Sequence, residues 1–362
     1  MIDLLVRTLQ ASVDLLNGAS VWLIISFVLA GLLHNILSPD KLQRMLGDKS
    51  MISLVKATLS GMLLPICSCG VIPLGLGLYY SGAYLGPTLA FMSATPIINP
   101  AAVLLAYGLL GPQIATIYLL AGFTIPFLLG IMGNLLGGSE LFVPGLEPLQ
   151  TNMNVQSDSM KLSLYQRLLN GLQWGFKDLG TVVSKYVLLG MLLAGLITAA
   201  VPPAFFQTYL GNPGLISIGG VAVLGAIMYV CAVGHIPFIA ALVASGAAPG
   251  VAITFLMTGA ATNLPELISI YKLIGKRTVI IYSVGTVLYS IFVGLLTNIL
   301  LKEFTPYIDF QRNKHFIGTA NQLILSTPEP VSIACSLLVV FLGIYSLWPK
   351  IEALYVRISE AL

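Results

Sequence analysis

Residues 50–83 read SMISLVKATLSGMLLPICSCGVIPLGLGLYYSGA, and residues 214–247 read GLISIGGVAVLGAIMYVCAVGHIPFIAALVASGA. Each is an apolar run broken in its middle, at Pro65-Ile-Cys-Ser-Cys-Gly70 and at Val230-Cys-Ala-Val-Gly234. As one helix such a run would be about 51 Å long, too long for a hydrocarbon core of about 30 Å. As a hairpin that enters and leaves on one side, its arms reach roughly 17 to 24 Å and put the tip near the midplane. The hairpin reading therefore decides the topology.

The two runs are copies of one another. A shift of 164 residues, with no gap, aligns Cys67 with Cys231, Gly70 with Gly234, Pro73 with Pro237, Gly86 with Gly250 and Asn99 with Asn263. From Cys67 to Asn99, 11 of 33 positions are identical to their mates, where composition alone gives about three. Tyr107 and Tyr118 continue the match to Tyr271 and Tyr282. Many of the matches are Gly and Pro, the residues that set backbone shape.

Composition fixes the solvent. Charged residues are 9% and hydrophobic residues 57% of the 362, against roughly 25% charged in a soluble domain. A soluble enzyme, a nucleic-acid binder and a disordered scaffold are excluded. A net charge of +3 offers nucleic acid no basic face. The apolar runs do not alternate as barrel strands do, so the chain reads as an all-α polytopic membrane protein in contact with the lipid bilayer. The four cysteines all lie in apolar segments, which argues against a disulfide framework.

The expected organisation is two inverted-topology repeats, each with a re-entrant hairpin and a broken transmembrane helix, plus one extra C-terminal helix. Residues 1–18 read as an interfacial amphipathic helix with no signal-peptide pattern. Residues 19–136 form the first repeat, with its hairpin at 50–83 and its broken helix at 84–109. A linker and amphipathic helix occupy 137–180. The second repeat covers 181–301, with its hairpin at 214–247 and broken helix at 248–272. An extramembrane loop at 302–330 leads to the last transmembrane helix, 331–349. With hairpins, each half crosses the membrane three times and the halves face opposite ways. Thirteen of the 17 Lys and Arg residues then fall on the cytoplasmic side and four outside, as the positive-inside rule requires. Lys272, Lys276 and Arg277 occupy a turn whose mate, around 108–113, carries no charge. This topology leaves the C-terminus cytoplasmic.

Inverted repeats with discontinuous helices are a transporter signature, with the site where the breaks converge. Cys67 and Cys69 sit at the first tip, before a half-helix whose positive end favours a thiolate. Cys231 is the mate on the second tip, so three soft ligands for Cu(I), Zn(II) or a trivalent metalloid could meet. Cys67 and Cys69 are the metal candidates if the solute is a metal or metalloid; Cys335, on the unpaired last helix, reads as a small hydrophobe. Gly70, Pro73, Gly234 and Pro237 are the structural residues of the tips. Asn99 and Asn263 mark the two helix breaks, suited to satisfy freed backbone groups or to hold solute. Glu266 and His235 are the candidates for proton coupling. No Walker-type phosphate loop and no cofactor pattern is present. Glycine-rich faces suit packing within the chain or, as a homo-oligomer, between chains.

Leu64-Pro-Ile-Cys-Ser-Cys-Gly-Val-Ile-Pro73, Ser81-Gly-Ala and Ser93-Ala-Thr-Pro-Ile-Ile-Asn-Pro100 together resemble the ArsP/YraQ-type bacterial permease family. The resemblance covers most of the chain. It implies a multi-pass permease of the bacterial inner membrane, and characterised members are associated with efflux of trivalent organoarsenicals such as methylarsenite. Cys67 and Cys69 match the family's cysteine pair. A sister branch linked to copper and zinc efflux shares the Pro-x-Cys-Ser-Cys-Gly element but continues differently from Ala94-Thr-Pro-Ile-Ile-Asn. The expected function is therefore export of a small thiophilic solute by alternating access. The alternatives are a transporter for copper, zinc or a sulfur compound, and, from another class, a membrane thiol oxidoreductase or a non-transporting complex subunit.

Overall fold

The structure is a computed structural model and describes residues 2–36, 49–64, 68–143, 164–200, 214–227, 232–244, 247–301 and 328–361. Among these the regular elements are all helical. In chain order they are α1 (Ile2–Ile36), α2 (Met51–Met62), α3 (Ser68–Tyr80), α4 (Leu85–Ile97), α5 (Pro100–Leu109), α6 (Gly111–Leu136) and α7 (Leu164–Gln173). Then follow α8 (Thr181–Ala200), α9 (Leu215–Ile227), α10 (Ala232–Ala244), α11 (Pro249–Ala261), α12 (Leu264–Leu273), α13 (Lys276–Leu300) and α14 (Glu329–Ala361). A π-helical turn, Trp174–Gly180, carries α7 into α8.

By length and composition four helices can cross a membrane, or six if each bent pair counts as one span. The outward faces of α6, α13 and α14 carry exposed Leu120, Leu288, Phe292, Ile299, Leu337 and Phe341. In water such a belt would be untenable; hydrocarbon solvates it without cost. The chain is a multi-pass membrane protein.

Residues 2–18, read from the sequence as an interfacial helix, are continuous with the first span. No proline interrupts 2–36, so the stretch runs unbroken into the first span as α1. Gly195 of α8 lets that helix close on Thr8 and Ser12, where a Cβ would lie 2.9 Å from the Thr8 carbonyl oxygen. The N-terminal turns of α1 are thus packed against a neighbour rather than lying free.

The residues that flank the stretch 50–83 lie close together. The Asn134 side chain on α6 accepts a hydrogen bond from the Gly86 N–H at 3.1 Å and donates to the Lys49 carbonyl at 3.4 Å. One amide thereby ties the residue before the stretch to a residue just after it. A straight helix would hold those ends tens of ångströms apart. At the mate positions Asn298 accepts from the Gly250 N–H at 2.7 Å.

The helix contacts repeat as well. Helix α2 packs on α4 and α4 on α6, as α9 packs on α11 and α11 on α13. Gly61 and Gly225 let the leading arms approach the carbonyls of Phe91 and Phe255, themselves 164 residues apart. Across the halves, α3 packs on α12 and α10 on α5. Each hairpin's second arm therefore lies against the broken helix of the other half.

Candidate functional site

The two bent helices locate the site. Helices α4 and α5 meet at 42°, and α11 and α12 at 43°. Both breaks have the same local cause. Asn99 and Asn263 are in extended conformation, each with proline at one of the next two positions, and their side-chain oxygens accept from the N–H groups of Ala102 and Glu266 at 2.8 and 3.0 Å. This is N-capping, which satisfies a donor that the restarted helix would otherwise leave bare. Both asparagines are buried, at 5% and 0% exposure. At membrane depth an uncapped break would be costly, because no water reaches it.

The breaks differ in what surrounds the cap. In the second, the Asn263 amide also donates to one Glu266 carboxylate oxygen at 3.2 Å, and the Tyr282 hydroxyl donates to the other at 3.0 Å. Glu266 is fully buried and its partners among the described residues are both neutral. Helix α8 packs on α12 beside it. Gly190 sits so near Pro265 that a Cβ would approach its Cα to 2.4 Å. In the first half the mate of Glu266 is Ala102, and Tyr118, the mate of Tyr282, donates to the Ile97 carbonyl at 2.5 Å instead.

Gly70 and Pro73 are the third and sixth residues of α3, and Gly234 and Pro237 hold the same places in α10. These residues open the second arms rather than forming the turns themselves. A proline at the sixth position gives no N–H to the residue four before it. The carbonyls of Cys69 and Val233 are thereby left outside the helix ladder, as acceptors at the start of each arm. Gly61, three residues before Leu64, would put a Cβ 3.0 Å from the Thr95 hydroxyl, one turn before the first break. The C-terminal turn of α2 and the first break are thus at one level of the molecule.

Cys67 and Cys231 lie outside the described residues, and of Cys69 the backbone alone is described, as the second residue of α3. His235 is in the first turn of α10, half-buried, with its ring centroid 6.3 Å from that of Phe255. Among the described residues no group of three or more His, Cys, Asp or Glu side chains could hold a metal ion. The metal pair expected at Cys67 and Cys69 falls outside the side chains described.

Three features escaped the reading of the sequence. Asn134 and Asn298 accept from the Gly86 and Gly250 N–H groups, and their 164-residue spacing was the available signal. Tyr118 and Tyr282 were matched as mates, yet only contacts distinguish their roles. Glu140 accepts from the N–H groups of Arg277 and Thr278 at 3.1 and 2.7 Å and from the Thr278 hydroxyl at 2.7 Å. Its carboxylate caps α13, and the Tyr79 hydroxyl donates to its carbonyl at 2.8 Å. No local pattern announces a cap delivered from 137 residues away.

Comparison with known proteins agrees with this architecture. The family model ArsP_1, described as predicted permease, matches residues 7–299. The UPF0718 protein MJ0584 of Methanocaldococcus jannaschii is 24% identical over 83% of this chain and 97% of its own. The UPF0718 protein YcgR of Bacillus subtilis is 24% identical over 80% and 95%. The UPF0718 protein YraQ of Escherichia coli is 25% identical over 73% and 74%. No solved structure matches.

Proposed function

We propose that this chain, which belongs to the ArsP_1 family of predicted permeases, is a secondary transporter that exports a small thiophilic solute, with a trivalent organoarsenical such as methylarsenite as first candidate. The supporting observation is the pair of buried, asparagine-capped helix breaks, each lying against the other half's hairpin arm. Broken helices at depth are tolerated where they line a cavity, and in transporters they flank the solute. In this reading the halves are inverted repeats, the hairpins are re-entrant, and the C-terminus is cytoplasmic. Cys67 and Cys69, joined by Cys231, bind the solute through thiolates. Asn99 and Asn263 line the site, and Glu266 or His235 carries the coupling proton.

The test is a resistance and accumulation panel in bacteria stripped of arsenic and metal pumps. Methylarsenite, arsenite, copper and zinc are compared with the wild-type chain, Cys67→Ser and Cys69→Ser. The expected outcome is lower cell arsenic for the methylated form alone, lost in either serine variant. Equal accumulation of all four solutes with and without the chain would overturn the substrate.

A second reading has one observation in its favour. A relative in Streptococcus mutans, 22% identical over 76% of this chain, is named a two-component membrane permease complex subunit. Under it the chain transports only beside a second subunit, and purified alone in liposomes it moves nothing.

A further inference from the structure

The duplication supplies an internal control. At nine fully buried positions among the described residues the second half carries an oxygen-bearing side chain where the first half has none; Ser269, Thr278 and Thr297, opposite Leu105, Ile114 and Gly133, are three of them, and the other six run along α11, α12 and α13. Thr254, Thr258, Thr262, Glu266, Thr286 and Ser290 are all at 0% exposure. Their mates are Ala90, Ala94, Ile98, Ala102, Gly122 and Pro126.

The six positions form one seam. Thr254 and Thr258 lie four residues apart on one face of α11, Thr262 follows as its C-cap in extended conformation, and Tyr282, Thr286 and Ser290 follow at four-residue spacing on α13. Thr254 donates to the Ser290 carbonyl at 3.0 Å, tying the two rows at one end. The Tyr282–Glu266 bond ties them at the other. From Thr254 to Glu266 the seam runs about 18 Å at 1.5 Å per residue.

Packing does not require these hydroxyls. Gly130 receives the Ala90 methyl, with a Cβ built on that glycine 3.3 Å away, and its mate Gly294 receives the Thr254 hydroxyl. Gly61 receives Ala94, and its mate Gly225 receives Thr258. At the Gly130 and Gly294 pair a methyl in one half stands where a hydroxyl stands in the other, whereas the Gly61 notch meets the Thr95 hydroxyl at 3.0 Å as well as the Ala94 methyl at 3.1 Å. The hydroxyls of Thr254, Thr258, Thr262 and Thr286 each donate to the carbonyl four residues back. Their lone pairs stay free to accept. The Ser290 hydroxyl is enclosed and has no hydrogen-bond partner among the described residues. An enclosed hydroxyl without a partner costs stability, a state that Ser290 shares with Thr58, Ser81 and Ser184. The first half keeps fully buried hydroxyls elsewhere, at Thr58, Thr88, Ser93 and Thr95, opposite Ala222, Ala252, Met257 and Gly259.

We propose that the seam of Thr254, Thr258, Thr262, Thr286 and Ser290 is the path by which protons reach Glu266 from the Gly250 end of α11, giving the permease its coupling route in the second half alone. A water chain entering the seam delivers hydronium, the Glu266 carboxylate takes the proton and water is left. After the helices rearrange, the carboxylic acid returns the proton to water toward the Ser269–Lys272 end. Helices α3, α8 and α13 pack on α12. Their titratable groups are Cys69, Tyr79 and Tyr80 on α3, Lys185 and Tyr186 on α8, and Lys276, Arg277, Tyr282 and Tyr289 on α13. Of these, Tyr282 bonds Glu266. Tyr80 donates to the Leu273 carbonyl, Tyr79 to that of Glu140, and Lys185 lies over the Tyr186 ring.

The inference deepens the permease reading, and its test needs no solute. The full chain is reconstituted in lipid, and the protonated-carboxyl infrared band is followed after a pH jump, with Glu266→Gln assigning the band. The triple variant Thr254→Ala, Thr258→Ala, Ser290→Ala replaces two residues with those the first half already packs. Protonation of Glu266 is expected to slow at least about tenfold in it, a barrier rise of about 1.4 kcal/mol. Thr88→Ala, which takes the second half's Ala252, leaves the rate unchanged. An unchanged rate in the triple variant, or a band that never responds to pH, overturns the proposal. If the triple variant misfolds, Ser290→Ala alone carries the test with a smaller slowing. Failure of methylarsenite export leaves the infrared result standing, so the two readings fail separately.

Discussion

Asn99 and Asn263 cap equivalent breaks with equivalent geometry, so the same substitution at both isolates what surrounds each cap. Replacement by alanine removes a cap, worth about 1 kcal/mol at either site. At 263 it also removes the donor to Glu266, adding about 1 kcal/mol. Replacement by aspartate is more discriminating. Asn99→Asp keeps an accepting oxygen for the Ala102 N–H. Asn263→Asp keeps the oxygen for Glu266 N–H but puts a carboxylate where an amide donated at 3.2 Å. Two charges at that separation repel by about 5 kcal/mol at an effective dielectric of 20. A shared proton relieves part of this, so about 3 kcal/mol is expected to remain. Both positions are buried, and the cost of burying a carboxylate largely cancels between them. At about 2 °C per kcal/mol for a chain of this size, Asn263→Asp should melt some 6 °C below Asn99→Asp in the same detergent. Melting is read by thermal aggregation of the tagged chain. Equal melting of the two aspartate variants would refute the assignment of Asn263 as a donor to Glu266.

Glu140→Ala strips three hydrogen bonds from the start of α13 and should cost about 2 to 3 kcal/mol, whereas Glu140→Gln, which keeps an acceptor, recovers about half; chemical denaturation measures both. Gly250→Ala places a methyl 1.9 Å from the Gly294 carbonyl oxygen and should lower the yield of folded protein sharply. Gly219→Ala meets nothing within 4 Å and should leave yield and melting intact, since alanine is the better helix former by about 1 kcal/mol.

The breaks were legible because their causes are local. Asn99-Pro100 and Asn263-Leu-Pro265 each pair a capping residue with a helix breaker, and the 164-residue shift made each witness to the other. The unbroken α1 was not legible as such, because Asp3, Arg7 and Asp14 among leucines look interfacial until α8 is known to cover Thr8 and Ser12. Glu266 was singled out as an acidic residue in an apolar span, but its burial depends on how closely Gly190 lets α8 approach. Asn134 and Glu140 act at distances of 48 and 137 residues. Such contacts are products of the fold, and sequence periodicity carries no trace of them beyond the repeat spacing.

A duplicated chain separates what the scaffold needs from what a half does for itself. The Asn134 and Asn298 side chains that accept from Gly86 and Gly250, the caps Asn99 and Asn263, and the close approaches at Gly61 and Gly225 occur in both halves. They hold backbone, and losing one member should harm folding before anything else. Glu266, Thr254, Thr258 and Ser290 occur in one half, on a framework that Ala102, Ala90, Ala94 and Pro126 complete equally well. Residues of this second kind bury polar atoms without improving the packing around them. In the proposed coupling route they stand beside a carboxylate held by two neutral donors, and charge would move through that half alone.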